Sequence, residues 1–181
     1  MQVSLDGYME APNRDIGWSR PDEEVHRFHN DRARDAGAFL YGRRLYELMF
    51  EYWPTAGDDP SATPEVVEFA RVWNATPRVV FSKTLERVDE GSRLVRGDAA
   101  EEVARLKEQP GGELDVGGAA LGGSLLRAGF IDEIRLFVYP IVLGAGTPFF
   151  PPLERRLELE LIDTRRFGSG VVYTSYRVKN T

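Results

Sequence analysis

At 181 residues, of which 42% are hydrophobic, the chain has the size of one domain that buries roughly 70% of its unfolded surface, and we predict a single domain over residues 1–181. A net charge of −6 argues against nucleic-acid binding, and the lack of cysteine excludes disulfides, thiolate metal sites and cysteine nucleophiles. No apolar run approaches the roughly 18 residues of a membrane helix, and the first residues lack the features of a signal peptide, so we predict a cytoplasmic protein without membrane partners.

Hydrophobic periodicity and turn residues predict strand–helix units early in the chain and an antiparallel hairpin at its end. The predicted strands span residues 2–5, 38–41, 78–82, 93–96, 113–116, 132–138, 156–163 and 171–178. The predicted helices span residues 21–36, 43–50, 63–74 and 98–108, with a fifth between Gly118 and Gly129. Loops are predicted over residues 6–20, 53–62 and 141–148. This order predicts an α/β sandwich with a mostly parallel central sheet and antiparallel edge strands.

Three short clusters of glycine, basic or hydroxyl residues follow predicted strands. They are Gly42-Arg43-Arg44, Ser82-Lys83-Thr84 and Gly117-Gly118-Ala119. Because ligands bind at the carboxyl ends of parallel strands, we expect all three clusters at one edge of the sheet. Arginine, lysine and the free N–H groups at a helix start are suited to binding phosphate. Taken singly, each cluster is more often a solvated basic side chain beside a turn, and it is the coincidence of three clusters that favours a ligand site.

Other chemistries find less support in the motifs. The glycines after residue 116 lack the G-x-G-x-x-G spacing of a Rossmann fingerprint, and the chain has no P-loop Gly-Lys-Ser/Thr. His26 and His29 lie three residues apart on a predicted helix, but the partner spacing of a zinc site is absent, so we predict no metal. No G-x-S-x-G elbow of a serine hydrolase is present.

Taken in order, several segments resemble the dihydrofolate-reductase-like superfamily, and most closely its riboflavin-biosynthesis reductase branch, the RibD C-terminal domain. The matching segments cover nearly the whole chain: Ser4-Leu5-Asp6-Gly7-Tyr8, Leu40-Tyr41-Gly42-Arg43-Arg44-Leu45-Tyr46-Glu47, Val79-Val80-Phe81-Ser82-Lys83-Thr84-Leu85, Val116-Gly117-Gly118-Ala119, Gly129-Phe130-Ile131-Asp132-Glu133 and Pro140-Ile141-Val142-Leu143-Gly144-Ala145-Gly146. The resemblance implies a dihydrofolate-reductase-like three-layer sandwich and NADPH as hydride donor.

The same resemblance implies a cofactor role for each of the three clusters. Gly42, Arg43 and Arg44 resemble the strand–helix junction that holds the cofactor phosphates. Ser82 and Lys83 resemble the site facing the adenosine 2′-phosphate, which would select NADPH over NADH. Gly117, Gly118 and Ala119 resemble the turn beside the pyrophosphate and nicotinamide. Leu45 stands where the family's Gly-Arg-x-Thr motif has threonine, which removes one hydroxyl contact.

On the substrate side, the resemblance implies a carboxylate on the first helix that assists protonation. Glu24 is our candidate, with Asp22 and Glu23 as alternatives, and a surface carboxylate favouring the helix dipole is the competing interpretation. Asp6 resembles a position at the substrate edge, although it is equally suited to capping a turn. We expect the substrate to lie under the 6–20 loop.

Two functional hypotheses follow. The first is an NADPH-dependent reductase of a small heterocyclic substrate, pterin-like or ribosylaminopyrimidine-like. The second is a nucleotide-binding protein that retains the fold without turnover. The apolar strand around Phe137 and the late hairpin provide a candidate face for a homodimer, as in relatives of this family.

Overall fold

The computed structural model describes residues 1–179, and the chain divides into two compact units. The first unit consists of Met1–Val25 together with the described residues from Gly122 onward, and the second is His26–Leu121. Both divisions fall inside a helix, so no loop marks the boundary between the units. The single domain over the whole chain stays a prediction.

The elements are numbered in chain order. The strands are β1 Gln2–Ser4, β2 Tyr8–Glu10, β3 Ala36–Gly42, β4 Arg78–Phe81, β5 Ser92–Val95, β6 Glu113–Gly117, β7 Glu133–Tyr139, β8 Thr147–Pro148, β9 Leu159–Arg166 and β10 Val172–Val178. The helices are α1 Glu23–Ala33, α2 Arg43–Ala56, α3 Pro64–Ala75, α4 Ala99–Lys107 and α5 Ala119–Arg127. Short 3-10 turns span Pro12–Arg14 and Gly17–Ser19. Within residues 1–179, no helix is both long and apolar enough to cross a membrane.

The second unit is built on a four-stranded, fully parallel sheet in the order β5-β4-β3-β6. Its central strands are apolar and inaccessible, with Leu40 and Val80 both 0% exposed, as expected for parallel strands covered on both faces. Trp73 of α3 packs into the same core as Phe39 and Tyr41. The helices have ordinary start signals: the Asp98 carboxylate accepts hydrogen bonds from two backbone N–H groups at the start of α4.

The first unit contains the sheet β1-β7-β10-β9 and a separate two-stranded pair, β2-β8. β1 and β7 are parallel, with Ser4 opposite Tyr139, whereas β7, β10 and β9 run antiparallel. The predicted C-terminal hairpin is therefore present as β9–β10. Phe137 and Tyr173 face each other across β7 and β10 with ring centroids 5.0 Å apart, and both are buried.

Several element boundaries differ from the prediction because they depend on distant packing. The helix predicted to end at Phe50 continues to Ala56, since Trp53 packs edge-on against Phe69 of α3 at 4.4 Å. The predicted loops at 6–20 and 141–148 contain the paired strands β2 and β8. Gly37, which lies between the predicted helix 21–36 and the predicted strand 38–41, belongs to β3, where a Cβ atom would overlap the backbone of Gly112.

The edge strand β9 begins at Leu159, three residues later than predicted, and continues to Arg166. Seven of its eight residues are exposed, so the alternation of leucines in the sequence does not indicate which residues of this segment pair with β10. The backbone bonds to β10 decide its extent, and the pairing includes a register shift next to Ser175.

Candidate functional site

The carboxyl ends of the parallel strands in the second unit bring the three predicted clusters to one edge. Gly42 pairs with Phe81, the residue before Ser82, and Tyr41 pairs with Gly117. Each cluster therefore begins within one residue of the same level of the sheet. The expected arrangement of the clusters at one edge is confirmed, while the role of each residue stays a prediction.

The start of α2 offers both N–H groups and a cation. Gly42 is the N-cap residue of α2. Because glycine has no side chain, it cannot accept a hydrogen bond from the N–H groups of the first helical turn. Arg43 is exposed, and its Nε donates to Glu47 at 2.8 Å while its Nη1 donates to the Thr84 hydroxyl at 2.9 Å. Arg44, the second residue of the helix, is also exposed. An anion placed here would meet the positive end of a 14-residue helix.

The segment after β4 forms a compact turn around Ser82. The Ser82 hydroxyl accepts hydrogen bonds from the backbone N–H groups of Thr84 and Leu85, at 3.3 and 3.0 Å. Its own hydrogen is left to donate outward. Lys83 is exposed at the tip of this turn, one residue before the Thr84 hydroxyl that Arg43 contacts.

Arg96 is a basic residue of this edge that the sequence analysis did not single out. It follows β5, whose last residue pairs with Phe81, and its guanidinium donates to the carbonyl oxygens of Lys83 and Glu86, both at 3.2 Å. No carboxylate among residues 1–179 forms an ion pair with Arg96, so its charge is not neutralised locally. The rule that located the other clusters, basic residues after parallel strands, also applies to this position.

The glycine pair between β6 and α5 packs against α2. A Cβ atom on Gly117 would overlap the Leu45 side chain and crowd Tyr41, so the close approach is to a protein side chain. Gly118 has φ of +93°, a conformation that favours glycine, and Ala119 then begins α5. Leu45, the departure from the family's threonine, is thus the side chain that fixes the position of this turn.

A buried ion pair anchors the far end of the segment between β4 and β5. Arg78 is 3% exposed and lies 2.7 Å from the Asp89 carboxylate, which also accepts a hydrogen bond from the Tyr46 hydroxyl at 3.0 Å. Burial alone would raise the pKa of Asp89, but hydrogen bonds from Ser92, Arg78 and Tyr46 outweigh it and lower that pKa. Because Tyr46 belongs to α2, this network joins α2 to the segment that begins at Ser82.

Glu24, the predicted substrate-side acid, is tied to the turn between β9 and β10 of its own unit. Its Oε1 accepts from Arg165 at 2.8 Å and its Oε2 accepts from the Gly168 N–H at 3.2 Å. The Arg165 hydrogen bond is the main reason that the pKa of Glu24 is lowered. Asp22, one of the alternatives, accepts from the Val25 N–H at 2.8 Å as a helix cap. Because its pKa is lowered, Glu24 is ionised at neutral pH and carries no proton to donate.

Asp6 holds a loop in place. Its Oδ1 accepts from the Ser4 hydroxyl at 2.6 Å and from the Leu143 N–H at 3.1 Å, and its Oδ2 accepts from the Gly144 N–H at 2.7 Å. The Ser4 hydrogen bond is the largest cause of the lowered pKa of Asp6. These contacts favour the turn-capping interpretation of Asp6 over a role in protonation.

The two histidines have the surroundings of structural residues. The His26 ring lies near Trp53 and Phe69, at centroid distances of 6.4 and 6.3 Å, and burial lowers its pKa. Burial also lowers the pKa of His29 to about 3, which keeps that ring neutral. Across the part of the chain that the structure describes, no group of three or more ligand-type side chains could hold a metal ion.

A cavity of about 410 Å³ lies at the opposite, amino-terminal ends of β3 to β6. Its lining includes Gly37, Arg78, Glu90 and Gly112, and none of the predicted site residues. The Arg78 guanidinium in this lining is already paired with the Asp89 carboxylate. The predicted site is thus at the other end of the sheet from this cavity.

The chain has an α/β fold with basic residues at the carboxyl edge of its parallel sheet, and comparison with known proteins identifies its family. Residues 1–173 match the RibD C-terminal domain family, and the chain belongs to that family. The uncharacterized protein YyaP of Bacillus subtilis (strain 168) is 32% identical over 177 residues, which cover 97% of this chain and 91% of that protein. Membership of this family supports a reductase-type activity.

Two solved structures illustrate the fold. A candidate riboflavin biosynthesis protein of Shewanella sp. PV-4 has a TM-score of 0.76 at 23% identity, with 99% of this chain and 97% of that chain covered. Dihydrofolate reductase of Enterococcus faecalis, complexed with NADP(H) and RAB-propyl, has a TM-score of 0.64 at 15% identity, covering 99% and 94%. The predicted dihydrofolate-reductase-like α/β fold, with a parallel sheet and an antiparallel C-terminal hairpin, is confirmed.

Proposed function

We propose that this protein is an NADPH-dependent reductase that transfers a hydride to a small heterocyclic substrate, pterin-like or ribosylaminopyrimidine-like. The observation that carries the proposal is the convergence of Arg43, Lys83 and Arg96 on one turn at the carboxyl edge of the parallel sheet. A chain with net charge −6 concentrates cations there, which is the charge distribution that a phosphate ligand requires.

The donor groups at this edge fit the chemistry of a phosphorylated dinucleotide. The first turn of α2 provides N–H groups and a positive dipole for a phosphate, and Arg43 supplies a guanidinium beside it. Ser82 and Lys83 provide a hydroxyl and an ammonium for a second phosphate, the 2′-phosphate of NADPH. NADPH, when bound, supplies the hydride, so the protein's task is to position and shield the reactants.

On the substrate side, we propose that Glu24 assists protonation after release from Arg165, and that Asp6 shapes the substrate edge through the loop it holds. Both roles are compatible with carboxylates that are ionised in the free protein. A carboxylate whose pKa is lowered is ionised at neutral pH, so it must take a proton from solvent before it donates one to the substrate.

The alternative is a nucleotide-binding protein without turnover. The specific observation in its favour is that the predicted acids, Glu24 and Asp6, are both engaged in hydrogen bonds within the protein. Under this alternative the cofactor edge would bind NADPH with the same selectivity, while no substrate would oxidise it.

Titration with NADPH and with NADH, followed by nicotinamide fluorescence, tests the proposal. We expect saturable NADPH binding at micromolar concentrations and weaker binding of NADH. Lack of NADPH binding would exclude the reductase proposal. Binding without oxidation of NADPH by any of a panel of dihydropterins, aminopyrimidinones and cyclic imines would favour the alternative.

We also propose that the protein forms a homodimer through the face of its late hairpin and that it acts in the cytoplasm. Supporting the first point, Leu161 and Ile162 of the edge strand β9 are 54% and 44% exposed. Light scattering coupled to size exclusion would report twice the monomer mass, and Leu161→Asp would return it to one monomer. A monomeric mass for the unmodified protein would contradict the dimer.

A further inference from the structure

Tyr139, the last residue of β7, carries a buried polar group that the protein itself does not use. The residue is 5% exposed, and its hydroxyl oxygen is buried without a hydrogen-bond partner among residues 1–179. Buried hydroxyls are ordinarily paired, because an unpaired one loses its hydrogen bonds to water on folding and regains none. A hydroxyl retained in such a place needs an explanation, and a ligand that pairs with it is one.

An aromatic ring of the predicted substrate loop stands beside Tyr139. The ring of Trp18 stands at 90° to the Tyr139 ring with centroids 5.7 Å apart, and Trp18 lies on the half-buried turn Gly17–Ser19 of the predicted substrate loop. Tyr139 is opposite Ser4 in the parallel pair β1–β7. Both residues therefore lie at carboxyl strand ends, the edge of a parallel pair where ligands bind.

Three polar side chains lie near Tyr139 without reaching hydrogen-bond geometry with its hydroxyl. Gln2 acts to lower the pKa of Tyr139 against the larger effect of burial, and its Oε1 accepts from the Ser19 hydroxyl at 3.3 Å. The Ser4 hydroxyl donates to Asp6. The carboxylate of Asp22 is also near, and it caps α1. The Ser4 and Asp22 side chains therefore already have partners, and neither they nor Gln2 pairs with the Tyr139 hydroxyl.

We propose that the Tyr139 hydroxyl is a substrate-binding group that donates a hydrogen bond to a carbonyl oxygen or ring nitrogen of a planar heterocycle, with Trp18 as the adjoining wall. This inference rests on the proposed reductase function and specifies the substrate class as a carbonyl-bearing or ring-nitrogen heterocycle. Burial raises the pKa of Tyr139 to about 12, so the phenol keeps its proton at neutral pH and acts as a donor. Access requires displacement of Trp18, which lies on a surface loop.

The variant Tyr139→Phe removes only the hydroxyl and tests the inference directly. Because that hydroxyl has no partner in the free protein, we expect the urea unfolding midpoint of Tyr139→Phe to equal or exceed that of the unmodified protein. Tyr46→Phe is the matched control, since the Tyr46 hydroxyl donates to the Asp89 carboxylate and accepts from the Asp89 N–H, each at 3.0 Å. Its unfolding midpoint is expected to fall.

Binding is measured calorimetrically with 5,6-diaminouracil and 7,8-dihydropterin as probes, in the presence of the oxidised cofactor NADP⁺, which cannot reduce them. We expect Tyr139→Phe to bind the better probe about tenfold more weakly, the loss typical of one hydrogen bond. NADPH affinity should be the same in both proteins.

Three results would overturn the inference. A fall in the unfolding midpoint of Tyr139→Phe as large as that of Tyr46→Phe would show that the hydroxyl is paired in the free protein, for example to an ordered water. Equal probe affinity in the two proteins would show that the hydroxyl does not contact the ligand. Failure of both probes to bind the unmodified protein would exclude this substrate class. Failure of NADPH to bind would instead contradict the reductase proposal, whatever the probes do.

Discussion

Arg43 and Thr84, 41 residues apart in sequence, are joined by a hydrogen bond of 2.9 Å from the Arg43 Nη1 to the threonine hydroxyl. The bond connects the first turn of α2 to the turn that presents Lys83. The bond therefore holds the Arg43 guanidinium beside the turn that carries Lys83, so that two cations lie at the same edge of the sheet. Glu47 balances the charge of Arg43. The position of Lys83 beside Arg43 predicts that Lys83 affects cofactor selectivity.

Lys83→Ala is expected to weaken NADPH binding about tenfold and to leave NADH binding nearly unchanged. The reason is that an ammonium beside the 2′-phosphate contributes a charge-assisted hydrogen bond that NADH cannot make. Fluorescence titration with both cofactors measures the effect. Lys107→Ala, at the exposed end of α4, is the matched control and should change neither affinity. Equal weakening of both cofactors by Lys83→Ala would contradict the 2′-phosphate role.

Arg96→Gln is expected to reduce NADPH affinity and the dependence of that affinity on salt. The substitution removes a charge that has no local counter-ion, and long-range attraction to phosphate is screened by salt. Cofactor titrations at two ionic strengths provide the measurement. Arg93→Gln changes the same residue type three positions earlier, within β5, but Arg93 is already paired with Glu102, so it should have little effect. Identical salt dependence in Arg96→Gln and the unmodified protein would argue against a phosphate near Arg96.

Asp89→Ala is expected to destabilise the protein by about 3–5 kcal/mol, because it leaves the Arg78 guanidinium buried and unpaired. Glu47→Ala removes the partner of Arg43 from an exposed pair and should cost less than about 1 kcal/mol. Urea denaturation of both variants makes the comparison. A similar small effect for Asp89→Ala would mean that the buried pair does not anchor the segment after Ser82.

Gly118→Ala is expected to lower stability by about 1–2 kcal/mol, because an L-residue at φ of +93° is strained. Gly111→Ala is the control, since no atom lies within 4 Å of a Cβ built there and its φ is not positive. Thermal unfolding of the two variants separates backbone strain from a general effect of alanine. A stable Gly118→Ala protein that still binds NADPH would show that this turn tolerates a different backbone conformation.

Acid should destabilise the first unit through Asp6 and Glu24. Both carboxylates have a lowered pKa in the folded chain, so the unfolded chain takes up protons first as the pH falls. Their stabilising effect is therefore complete above their ordinary pKa values, near 4, and is lost as the pH falls further. Unfolding midpoints measured from about pH 6 to about pH 3 should fall less steeply for Asp6→Asn combined with Glu24→Gln. Parallel curves would contradict this assignment.

Much of the fold could be predicted from local pattern. Apolar runs such as residues 78–81 identify buried parallel strands, and the Asp98 cap identifies a helix start, because both signals act between residues close in the chain. The alignment of Gly42, Ser82 and Gly117 at one edge followed from the rule for parallel strands. The extension of α2, the pairing of β2 with β8 and the place of Gly37 in β3 did not, because each depends on a neighbour distant in sequence.

The sequence by itself determined the family, the parallel sheet and the cluster of phosphate-binding residue types, since these depend on residue identity and spacing. Only the tertiary structure decided what those residues contact. It gave Glu24 and Asp6 partners on distant loops, added Arg96 to the cation cluster, and showed Gly117 packed against Leu45. It also left the Tyr139 hydroxyl buried without a partner. A hydrogen-bond partner, or its absence, is a property of the packed fold, because it is decided by groups that the chain brings together only when it folds.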